Sequence, residues 1–266
     1  MNLQNILNEL ESVDGEIFDR LAHVSRRNMF NMFSRKAASI AAAPLLMATG
    51  LSAAYGQSPS GLPQNVVDVL NFALTLEYLE AEYYVRGTDM GGLIPQQFMM
   101  IFRQLRKHEE AHVRLLRSVL GSQAVSKPMF DYTAKGAFND VFSNFQTYAA
   151  VSQAFEDTGV RAYKGQATNL KNAPAILEAA LNIHSVEARH AARIRVLRGF
   201  KGWITEADSS GLPAAIYAGE NQTNQANVEL TSLASISNKS RAAVTESFDE
   251  PLDMNQVLTI VKPFLA

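Results

Sequence analysis

Cysteine is absent from this chain of 266 residues. That excludes disulfides, iron–sulfur clusters, thiolate nucleophiles and cysteine-built zinc sites together, and leaves the redox compartment open. Proline (9) and glycine (15) are sparse, so long stretches run without a helix breaker. An excess of either charge is also missing. Lys and Arg number 24 against 26 Asp and Glu, for a net charge of −2, which gives no electrostatic case for a nucleic-acid partner. What is present is 47% hydrophobic and 19% charged residues, the balance of a globular helical chain. The length fits one domain of about 200 residues with additions.

Residues 1–24 have the spacing of a short amphipathic helix, with Leu3, Ile6, Leu7 and Leu10 on one face. Ser25-Arg26-Arg27-Asn28-Met29-Phe30 follows, then Arg35 and Lys36, then a small and apolar run over 37–55. A basic stretch, an apolar run and small residues after it form an export-signal pattern, and the Arg pair resembles a twin-arginine motif. Residues 1–57 are therefore expected to be a leader with an export-type signal, which implies a periplasmic or cell-envelope location. The alternative is an uncleaved anchor, because 37–55 is near the shortest length that spans a bilayer. A linker is expected at 58–63, a helical bundle at 64–200, and a C-terminal extension packing on it at 201–266.

Within the bundle four helices are expected, at about 64–86, 96–120, 138–170 and 174–198. Val66, Val69, Leu70, Ala73, Leu74 and Glu77 set the i, i+3, i+4 spacing of the first. Gly121 and Gly199 follow the second and fourth, where glycine ends helices. The first and second helices, and the third and fourth, are joined by short links and so pair antiparallel. The link from second to third is long enough, at ~3.3 Å per residue, to cross the full length of a helix. The fold class is all-α, a four-helix bundle with one long crossover. The polar stretch 220–227 reads as loop, and Met254–Phe264 as a short apolar helix.

An internal repeat runs through the four helices. At an offset of 78 or 79 residues Glu77 meets Glu156, Tyr84 meets Tyr163, Glu109 meets Glu187, His112 meets His190 and Arg117 meets Arg195. Glu109-x-x-His112 and Glu187-x-x-His190 each put a carboxylate and an imidazole on one helix face, a turn apart. Glu77 and Glu156 enter from the two remaining helices. Four carboxylates and two imidazoles form a hard, oxygen-rich set that suits iron or manganese, and four negative charges balance two divalent ions. Without ions, that many ionised carboxylates in an apolar interior are very costly.

This pattern resembles the ferritin-like superfamily of carboxylate-bridged dimetal proteins, over about Asn65–Gly199. Within it the chain is similar to bacterial ferritin-like domain proteins that carry an export-type segment. The resemblance implies a ferritin-like four-helix bundle holding two iron or manganese ions. Glu77 and Glu156 would be terminal ligands, Glu109 and Glu187 bridges, and His112 and His190 caps. Dioxygen or hydrogen peroxide would be the reaction partner, in chemistry of the ferroxidase, peroxidase or catalase kind serving stress or metal handling. No single reaction is implied, and catalytic residues stay unassigned. A homo-oligomer is compatible with the sequence. The cysteine-built iron site of rubrerythrins has no counterpart here.

Competing readings use the same letters. His108-Glu109-x-x-His112 also spells the HExxH zinc-protease motif, but Val186 stands at His108's place in the second copy. A noncatalytic metal-binding or stress-protective envelope protein would use the same ligands, and a bundle with a vestigial site would use none. Glu80, Glu82 and Glu110 are expected on solvated faces, with Glu80 the best supplementary ligand. Tyr84 and Tyr163 are either plain core tyrosines or hydrogen-bond partners of the ligands. Arg117 and Arg195 either pin neighbouring acids or cover helix ends, the second being the expectation, and His23 and His184 fit no pattern.

Overall fold

The computed structural model describes residues 61–236 and 238–266. The expected leader, the Arg26-Arg27 motif and the apolar run at 37–55 lie outside the described residues. Among those described, no helix is long and apolar enough to cross a membrane.

Four long helices carry the fold: α1 (Gln64–Asp89), α2 (Gln96–Leu120), α3 (Phe145–Gln166) and α4 (Pro174–Leu197). Their ends follow from local chemistry. Pro63 and Pro95 precede α1 and α2 in extended conformation, where proline needs no amide hydrogen bond. Pro174 opens α4 at the first helical position. Gly121, with φ of 55°, ends α2. The third helix starts later than expected, at Phe145 rather than 138. Asn144 accepts a hydrogen bond from the Gln146 amide at 2.9 Å and so caps it there. The preceding residues form consecutive turns instead. Their apolar side chains have helical spacing but are spent on packing: Phe138 stacks on Phe264 and Phe142 meets Tyr132.

The crossover therefore runs over 121–144. It travels from the Leu120 end of α2 to the start of α3 at the opposite end, roughly 35 Å away at 1.5 Å per residue. Tyr132 pins it midway by donating to the Leu79 carbonyl at 2.8 Å. Contacts fix the directions. Arg106 of α2 reaches Asp89 of α1, while His112 reaches Glu77. Arg195 of α4 reaches Asp157 of α3, and Arg198 reaches Gln153. Tyr83 of α1 donates to the Tyr148 carbonyl of α3, while Tyr163 of α3 reaches back to Glu77. Neighbouring helices are antiparallel in each case, as an all-α ferritin-like bundle requires.

The C-terminal tail wraps this bundle. It contains a two-residue hairpin, β1 (Asn224–Gln225) with β2 (Val228–Glu229), and two short helices, α5 (Arg241–Thr245) and α6 (Met254–Val261). The hairpin's first strand and its turn fall in the stretch 220–227 expected to be loop. Ala226 and Asn227 turn it, both at positive φ, as a tight hairpin of this hand demands. Asp253 and Gln256 form a capping box at the start of α6. Arg161 of α3, wholly buried, fastens the tail. Its guanidinium donates to the carbonyls of Glu250, Ile216 and Ala218 and pairs with Glu220 at 2.8 Å. Gly165 lets the tail come close, since a Cβ there would lie 1.9 Å from the Leu252 carbonyl oxygen. Gly165→Ala is expected to lift the tail and cost about 1–3 kcal/mol by overpacking. A lower urea midpoint together with earlier proteolysis near residue 252 would report it.

Candidate metal centre

The middle layer of the bundle buries charge. Glu77, Glu109, Glu156 and Glu187 have no exposed surface, and His112 and His190 are buried with them. α1 supplies Glu77, α2 supplies Glu109 and His112, α3 supplies Glu156, and α4 supplies Glu187 and His190.

The atoms form two groups. Around His112 Nδ1 lie Glu77 Oε2 at 3.1 Å, Glu109 Oε2 at 3.0 Å and Glu187 Oε1 at 3.1 Å. Around His190 Nδ1 lie Glu109 Oε1 at 2.9 Å, Glu156 Oε2 at 3.2 Å and Glu187 Oε2 at 3.8 Å. In each group the four candidate ligand atoms fall within 4.8 Å of one another. Glu109 and Glu187 thus give one oxygen to each group. Glu77 and Glu156 belong to one group apiece.

Tyrosines hold the outer oxygens of the unshared pair. Tyr163 donates to Glu77 Oε1 at 2.5 Å, and Tyr84 donates to Glu156 Oε1. The two bonds cross between α1 and α3, so each tyrosine orients the other helix's carboxylate. Each unshared glutamate then has its Oε2 turned inward.

Hydrogen bonding alone does not satisfy this layer. One Nδ1 carries at most one hydrogen, so His112 cannot serve three carboxylates at once. Glu109 Oε1, Glu156 Oε2, both oxygens of Glu187 and His190 Nδ1 are buried without a hydrogen-bond partner. Five such atoms in one place are far beyond what a native interior tolerates, and a cation within each group would satisfy them. The donor set, oxygen-rich with one nitrogen per group, fits a hard divalent metal.

The protonation of the cage follows the same geometry. Burial raises Glu77 to about 8 against the opposing pull of His112, and burial holds Glu156 and Glu80 well above the carboxylate range. Burial also pushes at Glu109 and Glu187, but the facing imidazoles outweigh it and bring both below the ordinary value. Burial would lower His112 and His190, yet the surrounding carboxylates hold both high. Without metal, burial thus favours the neutral form of the unshared carboxylates, while the facing carboxylates favour the charged form of the imidazoles.

Two residues differ plainly from their sequence reading. Glu80 is buried, not solvated. It occupies space opened by Gly159, its counterpart in the repeat, where a Cβ would sit 3.3 Å from Glu80 Oε1 and 3.4 Å from Glu187 Oε2. The offset of 79 that maps Glu77 onto Glu156 also maps Glu80 onto Gly159, and that pairing was the available signal. Arg195 does not cover a helix end. It is buried and binds Asp157 through two nitrogens, at 2.9 and 2.6 Å, whereas Arg117 is exposed as expected. Asp157 maps onto Tyr78 in the repeat, so the first half has no acid to draw Arg117 inward. Glu82 and Glu110 are half-buried.

His108 lies outside both groups. Its Nδ1 is 2.8 Å from His190 Nε2, with the rings stacked, and its Nε2 meets the Gln104 side chain at the surface. With His190 Nδ1 turned toward the carboxylates, Nε2 is the atom that meets His108. His108 therefore orients a cage imidazole from behind. His184 is half-buried and has no place in the cage.

A family profile described as a ferritin-like domain matches residues 65–199, from the start of α1 to the glycine after α4. No curated protein matches the chain.

Proposed function

Because this chain belongs to the ferritin-like family, we propose that its central layer holds two iron or manganese ions bridged by carboxylates, and that the protein reacts with dioxygen or hydrogen peroxide. The observation that carries the reading is the division of Glu109 and Glu187. Each gives one oxygen to the His112 group and one to the His190 group. Glu77 and His112 would complete one position, Glu156 and His190 the other. Two such ions would supply electrons and Lewis acidity to an oxygen species.

The chain's own residues prepare the site. Tyr163 and Tyr84 fix the unshared carboxylates, His108 fixes the His190 ring, and the buried layer excludes bulk water. Glu80, a fifth carboxylate beside Glu187 Oε2, can replace or supplement a ligand. Export to the periplasm or envelope through residues 1–57, with the protein acting in stress or metal handling, belongs to the same proposal.

Protein reconstituted with Fe(II) or Mn(II) is expected to bind two ions per chain and to consume dioxygen or peroxide. Two ions bound without turnover would favour the sequestering reading. His108→Ala is expected to keep both ions at saturation, with ~10–100-fold weaker binding on the His190 side. Loss of all metal in that variant would favour a zinc site built on His108 and His112 instead.

A further inference from the structure

The two ends of the cage are packed with different materials. Beyond Tyr84 the bundle is filled by aromatic rings: Tyr83 stacks on Tyr148 with centroids 4.6 Å apart, and Phe102 meets both Tyr84 and Tyr148. Beyond Tyr163 the side chains are mostly aliphatic, with Phe72 among them, and several are small. There the packing leaves a cavity of about 20 Å³, bounded by Leu70, Ala73, Leu116, Tyr163, Ala180 and Ile183 among others.

The cavity lies one layer from the cage. Ala73, Leu116 and Ile183 are each four residues, about one helical turn, from Glu77, His112 and Glu187. The Tyr163 ring forms part of its wall, and the hydroxyl of that ring donates to Glu77. Of its two polar lining residues, Tyr163 donates to Glu77, and Gln166 Oε1 accepts from the Asn169 side chain at 2.8 Å. A water there would find few of the two to four partners it needs, and larger apolar cavities lined in this way stay dry and bind xenon. The volume admits one small molecule and no extended chain.

We propose that this cavity is a binding site for a small nonpolar gas, of the size and class of dioxygen, next to the Glu77–His112 half of the cage. The site exists without metal. It depends on the proposed dimetal function only for what the gas does afterwards.

The test uses metal-free full-length protein with methyl-labelled alanine, leucine and isoleucine. Under xenon pressure, the methyl resonances of Ala73, Ala180 and Ile183 are expected to shift saturably, and under dioxygen the same methyls should show the largest paramagnetic relaxation. Ala180→Leu is expected to abolish both responses, and Leu170→Ala, which enlarges the wall, to strengthen them. If Ala180→Leu does not fold, Ala73→Leu serves as the filling variant. Absence of any saturable shift, or shifts of equal size in a folded filling variant, would overturn the site. Because no metal is present, neither outcome depends on whether the cage binds iron or manganese.

Discussion

Glu109→Ala is expected to lose both metal ions, while Glu77→Ala loses only one. The difference lies in where the oxygens point. Glu109 Oε2 is 3.0 Å from His112 Nδ1 and its Oε1 is 2.9 Å from His190 Nδ1, so one side chain serves both groups. Removing it strips each group of an anionic ligand and leaves Glu187 as the sole link. Glu77 faces His112 only, and the His190 group keeps Glu109, Glu156 and Glu187 without it. Elemental analysis after reconstitution should therefore fall from two ions per chain to almost none for Glu109→Ala, and to one for Glu77→Ala. Unchanged helical content by circular dichroism would exclude unfolding as the cause. One ion retained in Glu109→Ala would reassign that carboxylate as a terminal ligand.

Asp157→Ala is expected to cost about 3–5 kcal/mol of stability, the range for stranding one member of a buried ion pair. Asp157 and Arg195 are 2% and 3% exposed, so the guanidinium left behind has little water to turn to. Tyr217, which donates to Asp157 at 2.7 Å and to whose oxygen Gln153 donates at 3.0 Å, loses its acceptor as well. Tyr217 belongs to the tail, Asp157 to α3 and Arg195 to α4, so the network fastens three segments directly behind Glu156. Replacing the pair together, as Asp157→Leu with Arg195→Met, is expected to recover most of the loss, because the desolvated charges then disappear as a set. Urea denaturation of the two variants measures this. Equal loss in the single and double variants would mean that shape, not charge, is what the network supplies.

The cage was legible in the chain because its chemistry is periodic. Two Glu-x-x-His pairs at helical spacing, each with a glutamate 31 or 32 residues upstream, already put six side chains on four helices. Glycines and prolines marked most helix ends. The start of α3 was not legible, because Phe138, Val141 and Phe142 have helical spacing but bury themselves as turns against Tyr132 and Phe264. Only the Asn144 cap decides the boundary.

The burial of Glu80 and Arg195 was hidden for a different reason. A charged side chain reads as solvated until its partner is known, and those partners come from other helices. Glu80 needs the missing side chain of Gly159, and Arg195 needs Asp157. The tail carries no strong pattern, since its attachment rests on backbone carbonyls that accept from Arg161.

The most direct test of the account is anomalous diffraction from crystals reconstituted with iron or manganese. The account predicts two peaks in the central layer, one beside His112 Nδ1 with Glu77 and one beside His190 Nδ1 with Glu156, with Glu109 and Glu187 touching both. A single peak held by His108 and His112, or a central layer that stays without a peak, would contradict it.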